Sequence, residues 1–298
     1  MYALIHIPFT ALCYVIHKMP YFIQAVLAKF VEILWFDILR IRRKDSIKNV
    51  QRAFPDMPYS DAKKIARKSL FHMGLTLVEF FSMPFLWGKE FREIYEVEGE
   101  EHLKAALKEG KGVFGLSLHL GNGDMGAAAL ASWGYPVKII SKIFKTKWLN
   151  DLWFSARKSK GLGFIPPRKS SYEILKSLKK NEVVIFVLDQ YTGPPNGILT
   201  KFFDIETGTA MGLALFAQRS GAPVLPIYTY RIGPKKHKIV IMEPIPFESQ
   251  DTKEESLRFM TQKYTGYIEE AIRRNPEQWM WVHRRWKLGF EGQNFIED

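Results

Sequence analysis

Cysteine is nearly missing from the 298 residues, and the one present, Cys13, lies in an apolar stretch without His or Cys at metal-ligand spacing. A disulfide framework and a thiolate zinc site are thereby excluded. No GxxxxGK[ST] loop and no HExxH helix occur, so neither a nucleotide nor a metal cofactor is expected. The Gly-x-Ser-x-Gly elbow of serine lipases is also missing. Long apolar runs are lacking too. Met1 to Ile16 is apolar apart from Tyr2, His6 and Thr10, yet a span needs about 20 residues. No Lys or Arg precedes that run and no small-x-small site comes after it, so a cleaved signal peptide is not expected and the segment should be retained. There is no internal repeat and no Ser/Gly/Pro-rich linker. The expected organisation is a membrane-anchoring helical segment over residues 1–44 and one catalytic domain over 45–298.

What the chain does have is positive charge and aromatic side chains: 43 Lys and Arg against 31 Asp and Glu, a net charge of +12, with 22 Phe and 8 Trp. The basic residues cluster at Arg42 to Lys44, Lys63-Lys64, Arg67-Lys68, Lys142 to Lys147, Lys235-Lys236 and Arg284-Arg285. Each cluster alone reads as a solvated helix face. Together with the aromatics they favour an anionic membrane surface, and no nucleic-acid partner is expected. Tyr21 to Leu39 reads as a helix whose Gln24, Lys29, Glu32 and Asp37 suit an interface better than hydrocarbon. The alternative is an ordinary core helix. The basic step Arg40 to Lys44 after it argues that the remainder of the chain is cytoplasmic.

Ser60 to Phe81 has helical periodicity, with Ser60 as the expected N-cap. Beyond it, the runs Val113 to Leu118, Val183 to Leu188 and Val224 to Tyr230 read as strands. Helical stretches alternate with them: Glu101 to Glu109, Asp124 to Trp133, Tyr172 to Lys180 and Gly208 to Ser220. This alternation predicts an α/β fold with a mostly parallel central sheet flanked by helices, where chemistry gathers at the carboxyl ends of strands.

His119 stands just past the first of those strands, and Asp124 opens the next helix. On one continuous helix, residues five apart lie about 140° apart around the axis and do not meet. Leu120-Gly121-Asn122-Gly123 supplies a turn that would fold Asp124 back onto the imidazole. One ring nitrogen would then be held by the carboxylate, leaving the other to take a proton from a substrate hydroxyl. The competing reading is a buried histidine satisfied by backbone. Arg157 and Lys142 would bind an acceptor phosphate or a developing oxyanion. Asp189 ends a strand, a usual place for a site residue, and the site role is favoured over the alternative of a helix or loop cap.

Several blocks, in this order and spacing, resemble the lipid A biosynthesis acyltransferase family within the wider lysophospholipid acyltransferase superfamily. They are Asn49 to Pro55 (NVQRAFP), Leu118 to Asp124 (LHLGNGD), Arg157 with Gly161 and Gly163, and Leu188-Asp189-Gln190 with Gly193. Phe202-Phe203, Arg219 to Val224, Asn275 to Trp279 and Trp281 to Trp286 complete the set. The resemblance implies an enzyme of the bacterial inner membrane, with its catalytic domain on the cytoplasmic side. Its donor would be an acyl carrier protein or acyl-CoA thioester, and its acceptor a hydroxyl of an anionic glycolipid, foremost a lipid A precursor. It also implies His119 as general base, Asp124 as its orienting acid, and Arg157, Asp189 and Gln190 as site-lining groups. Asn122, Lys142, Arg284 and Arg285 join them as candidate substrate-binding residues, with a structural ion pair as the alternative for the last two. Two departures stand out: Asp124 where lipid A-acylating members usually carry glutamate, and Gly123 where they carry an aromatic. The aspartate resembles the branch that acylates phosphatidylinositol mannosides. A hydrolase of lipids or thioesters that uses the same pair on water is the remaining alternative.

Overall fold

The structure is a computed structural model that describes residues 2–143, 145–167 and 170–287. Four helices come first: α1 (Tyr2–Lys18), α2 (Tyr21–Glu32), α3 (Arg43–Ala53) and α4 (Tyr59–Phe80). A π-helical turn, Ile33–Ile38, extends α2. No helix among the described residues is long and apolar enough to cross a membrane. Helix α2 lies along α4 instead. The missing side chain of Gly74 lets the two backbones close up: a Cβ there would sit 3.0 Å from the Cα and O atoms of Ala28. Glu32, buried in the same seam, accepts from Lys29 at 2.7 Å and also pairs with Arg67 of α4. Helix α4 buries Ala62, Ala66, Leu70 and Val78, spaced at three to four residues or their multiples, and so turns one stripe inward. It starts at Tyr59 after Pro58, and no side chain caps it, so Ser60 lies inside the helix rather than at its cap.

The α/β part comes next as α5 (Gly88–Ile94), β1 (Tyr95–Glu98), α6 (Glu100–Lys108), β2 (Val113–Ser117), α7 (Gly123–Ser132), β3 (Val137–Ile140) and α8 (Lys147–Lys158). Then come β4 (Gly163–Ile165), α9 (Ser171–Lys179), β5 (Val183–Val187), the hairpin β6 (Gly197–Phe202) and β7 (Ile205–Ala210), and α10 (Gly212–Ser220). The chain closes with β8 (Val224–Gly233), β9 (Lys236–Ile241) and α11 (Lys253–Arg274). Seven strands form one sheet in the order β1-β9-β8-β2-β5-β3-β4, parallel throughout except between β8 and β9. The expected mostly parallel sheet flanked by helices is what forms.

The central strands β2 and β5 read as apolar runs because helices cover both faces of the sheet. Their alternate residues go to different cores. Phe114, Leu116, Val184 and Phe186 face one, with α3, α10, α11 and the tryptophans Trp279, Trp281 and Trp286. Val113, Val183 and Ile185 face the other, with α5, α6 and the small-residue helix α7. One expected helix is shorter than its pattern: Gly208 to Ala210 belongs to β7, and α10 begins at Gly212. Tertiary contacts override local propensity there, because Thr207 and Thr209 are fully buried and Arg285 donates to Gly208 O and to Thr209 Oγ1.

Candidate active site

Strands β2 and β5 pair in parallel from Val113↔Val183 to Ser117↔Val187, a constant offset of 70 residues. Continued two positions past each strand, that register sets His119 beside Asp189. Their side chains meet with Nδ1 of His119 2.8 Å from Oδ1 of Asp189, and the His119 amide donates to Oδ2 at 2.9 Å. Trp279 completes the cradle by donating its indole N–H to the same Oδ2 at 2.7 Å. A carboxylate only accepts, so the neutral imidazole carries its hydrogen on Nδ1 and keeps Nε2 as an acceptor.

The Asp189 side chain is 1% exposed and that of His119 41%, so a buried carboxylate supports an imidazole that reaches the cleft. Burial opposes ionisation of Asp189, but the charge and hydrogen bonds of His119 and the indole of Trp279 outweigh it and bring the carboxyl down to about 2. Desolvation likewise disfavours imidazolium, yet Asp189, and more weakly Asp124, raise the His119 pKa above its ordinary value.

The turn after His119 is built for close approach. Gly121 has a φ of +58°, and a Cβ on it would lie 2.7 Å from the backbone oxygen of Thr229 and 2.8 Å from Cα of Tyr230. Its amide donates to Gln278 O at 3.2 Å. Gly121→Ala is therefore expected to cost about 1–3 kcal/mol through strain and overpacking, seen as a lower Tm. An unchanged Tm would show that the turn can open. Asn122 is fully buried and is the N-cap of α7, its Oδ1 accepting from Met125 N at 3.2 Å. Asn122 thus shapes the turn from inside the protein, with its side-chain oxygen and nitrogen both engaged by the fold. Against the expectation that no nucleotide-binding loop precedes a helix, Gly121, Gly123 and Gly126 have the GxGxxG spacing of a dinucleotide-binding loop, after a strand and before a helix. Here Asp124 occupies the first turn of α7, where a bound phosphate would meet its charge, and Gly126 packs against the Thr229 methyl.

The turn does not bring Asp124 to the imidazole. Its carboxylate pairs with Arg157, at the last turn of α8, and Arg157 also donates to Ser141 Oγ at 3.2 Å and lies 5.2 Å from the ring centroid of Trp153. A residue expected to hold the base thus holds a cation instead. Arg157 is 6% exposed and committed on both counts, so it is placed to fix Asp124. Lys142 is exposed at the rim, and Gln190 lines the wall. Arg284 and Arg285 are engaged elsewhere than in the cleft lining: Arg284 meets Asp45 at 3.4 Å, and Arg285, fully buried over the Phe202 ring at 4.7 Å, holds the β6–β7 hairpin. Burial lowers the Arg285 pKa to about 10 against the opposing charges of Asp189 and Glu269.

The cleft holds about 660 Å³ and its lining is mostly apolar, with Phe80, Leu130, Ile139, Trp153, Ile185 and Ile239 beside His119 among the residues that form it. Among the described residues no group of three or more His, Cys, Asp or Glu could hold a metal ion. Trp279 and Ser141 were not anticipated as site residues. Trp279 belongs to one of the recognisable blocks, Asn275 to Trp279, whereas Ser141 carries no signal in the sequence.

An imidazole held by a buried carboxylate in the lining of a mostly apolar cleft fits enzymes that move acyl groups. The family model for bacterial lipid A biosynthesis acyltransferase matches residues 2–288, and the chain belongs to that family. It is similar to the lipid A biosynthesis lauroyltransferase of Escherichia coli (strain K12), 27% identical over 259 residues that span 85% of this chain and 82% of that protein. It is also similar to the lipid A biosynthesis palmitoleoyltransferase of the same strain, at 26% over 86% and 83% of the two chains. More distant is the phosphatidylinositol mannoside acyltransferase of Mycobacterium tuberculosis (strain ATCC 25618 / H37Rv), at 22% over 80% and 75%. Among solved structures, the 1-acyl-sn-glycerophosphate acyltransferase of Thermotoga maritima aligns with 85% of this chain and 97% of its own, with a TM-score of 0.38 and 14% identity.

Proposed function

We propose that the protein transfers a fatty acyl chain from a thioester, on an acyl carrier protein or coenzyme A, to a hydroxyl of a lipid A precursor. The observation that carries this reading is the His119–Asp189 pair, with His119 in the lining of a mostly apolar cleft. In the reaction, Nε2 of His119 takes the proton of the acceptor hydroxyl as its oxygen attacks the thioester carbonyl. The carbon–sulfur bond then breaks, and the departing thiolate takes that proton from the imidazolium. Asp189 keeps the hydrogen on Nδ1 and favours the imidazolium. The apolar wall receives the acyl chain, and the Asp124–Arg157 pair borders the place where the acceptor enters.

Association with the cytoplasmic face of the inner membrane is part of the same reading. It is supported by the exposed apolar side chains of Leu12, Phe22, Val26, Phe30, Ile38 and Leu39, which lie among Lys18, Lys29 and Arg40. Lys142, the exposed cation at the rim, is the proposed contact for an acceptor phosphate. The test offers purified enzyme a labelled acyl carrier protein with a phosphorylated lipid A precursor, its dephosphorylated form, or a phosphatidylinositol mannoside. The phosphorylated precursor should react at least about tenfold faster than the dephosphorylated one, and Lys142→Ala should remove most of that difference, since a charge-assisted hydrogen bond is worth about 1.5–3 kcal/mol. Preference for the mannoside, which the aspartate at position 124 makes the natural rival, would move the acceptor class. Label recovered only as free fatty acid would replace the transferase by a hydrolase.

A further inference from the structure

We infer that Glu79, paired with Arg231, is a positioning residue for His119: it grips the turn between His119 and Asp124 from beneath and acts on the reaction only through it. This inference rests on His119 being the base. The grip is specific. The Glu79 carboxylate on α4 accepts from Asn122 Nδ2 at 2.9 Å and from Arg231 Nε and Nη2 at 3.1 and 2.6 Å, with His237 Nε2 at 3.4 Å. Arg231 on β8 also donates to Thr76 Oγ1 at 2.7 Å, and that hydroxyl contacts Gly121 O at 3.0 Å. The backbone of Arg231 is clasped by Gln278, which takes its N–H at 2.7 Å and donates to its carbonyl at 2.9 Å, while Gln278 O receives the Gly121 amide at 3.2 Å. Two consecutive residues of the turn, Gly121 and Asn122, are thus fixed by α4, β8 and the segment that carries Trp279.

None of these groups reaches the cleft by its charge, since Glu79 is 7% and Arg231 8% exposed. Burial alone disfavours the Glu79 carboxylate, but Arg231 and His237 outweigh it and hold the carboxyl well below the usual range. A buried ion pair is often no more stabilising than two well-packed apolar side chains of similar volume. Apolar side chains, however, cannot hold the amide of Asn122. What the pair adds is direction for the turn, and a displacement near 1 Å at a reacting group can cost about 100-fold in rate.

The test measures kcat, both KM values and Tm for E79M/R231M, which keeps volume and net charge, and for N122S, which keeps a capping hydroxyl but removes the link to Glu79. Both should be folded, with KM within about twofold of wild type and kcat lower by about 10–100-fold. A kcat within about twofold of wild type in either folded variant overturns the proposal. If neither folds, the network builds the protein rather than aims its base, and the proposal fails as well. His119→Ala runs in the same assay. Full activity there would sink the assignment of the base itself, whereas a dead His119→Ala beside normal E79M/R231M and N122S would sink only the positioning role.

Discussion

Alanine at position 119 is expected to lower acyl transfer by about 10²–10⁴-fold, the usual worth of a positioned proton acceptor, while Tm changes little. The fold should tolerate the change because the imidazole is partly exposed and the Asp189 carboxylate keeps two of its donors, the amide of residue 119 and the indole of Trp279. Losing the imidazole does leave Asp189 with one contact fewer, and a modest loss of stability is consistent with that. Binding of both substrates should survive, since the apolar wall and Lys142 are untouched, so the loss belongs in kcat. Initial rates at saturating donor and acceptor, together with thermal melts, check this. A variant that kept more than about a third of the wild-type rate would show that proton removal by His119 is not part of the reaction.

How His119 meets Asp189 illustrates what a sequence can and cannot disclose. The runs Val113 to Leu118 and Val183 to Leu188 were legible as strands, and His119 and Asp189 were both legible as residues just past a strand end. What the sequence does not carry is that these two strands are neighbours in the sheet, in register at an offset of 70. Without that order, the acid five residues away was the natural choice, and the turn suited to fold it back instead directs it to Arg157 across 33 residues. Arg284 and Arg285 show the same limit at shorter range. They are adjacent in the chain, yet one is exposed on Asp45 and the other fully buried under β7, because an irregular segment shares no periodicity that assigns its faces. The grip of Glu79 on the turn depends on Arg231, 152 residues away, and on Gln278, the residue just before Trp279. No local pattern marks such contacts. The parallel α/β layout was legible because its strands are buried on both faces and its helices on one, which leaves different periodicities in the chain.

Asp189→Asn should separate the two aspartates. An asparagine in that cradle can present either its oxygen or its amide to Nδ1, and an amide there forces the hydrogen onto Nε2, where it blocks proton uptake. Substitutions of this kind in a His–Asp pair of serine proteases reduce kcat by about 10⁴-fold, and a loss of about 10²–10⁴-fold is expected here. The pH dependence carries the sign. With His119 as the proposed base, turnover requires neutral imidazole, and because Asp189 raises the His119 pKa above its ordinary value, the wild-type rate should fall as pH drops through that raised value. In Asp189→Asn the attraction for the extra proton is lost while desolvation, which disfavours imidazolium, remains. The acidic limb should therefore move to lower pH even as the plateau falls. Asp124→Asn leaves the Nδ1 contact intact and breaks only the ion pair with Arg157, so it should reduce the rate by roughly tenfold, with a smaller movement of the limb, since the Asp124 charge adds only weakly to the raised pKa. Rate profiles from pH 5 to 9 for the three proteins decide between them. If Asp124→Asn moves the limb and abolishes turnover while Asp189→Asn does neither, the imidazole takes its support from the turn after all, and the contact with Asp189 is only the resting arrangement.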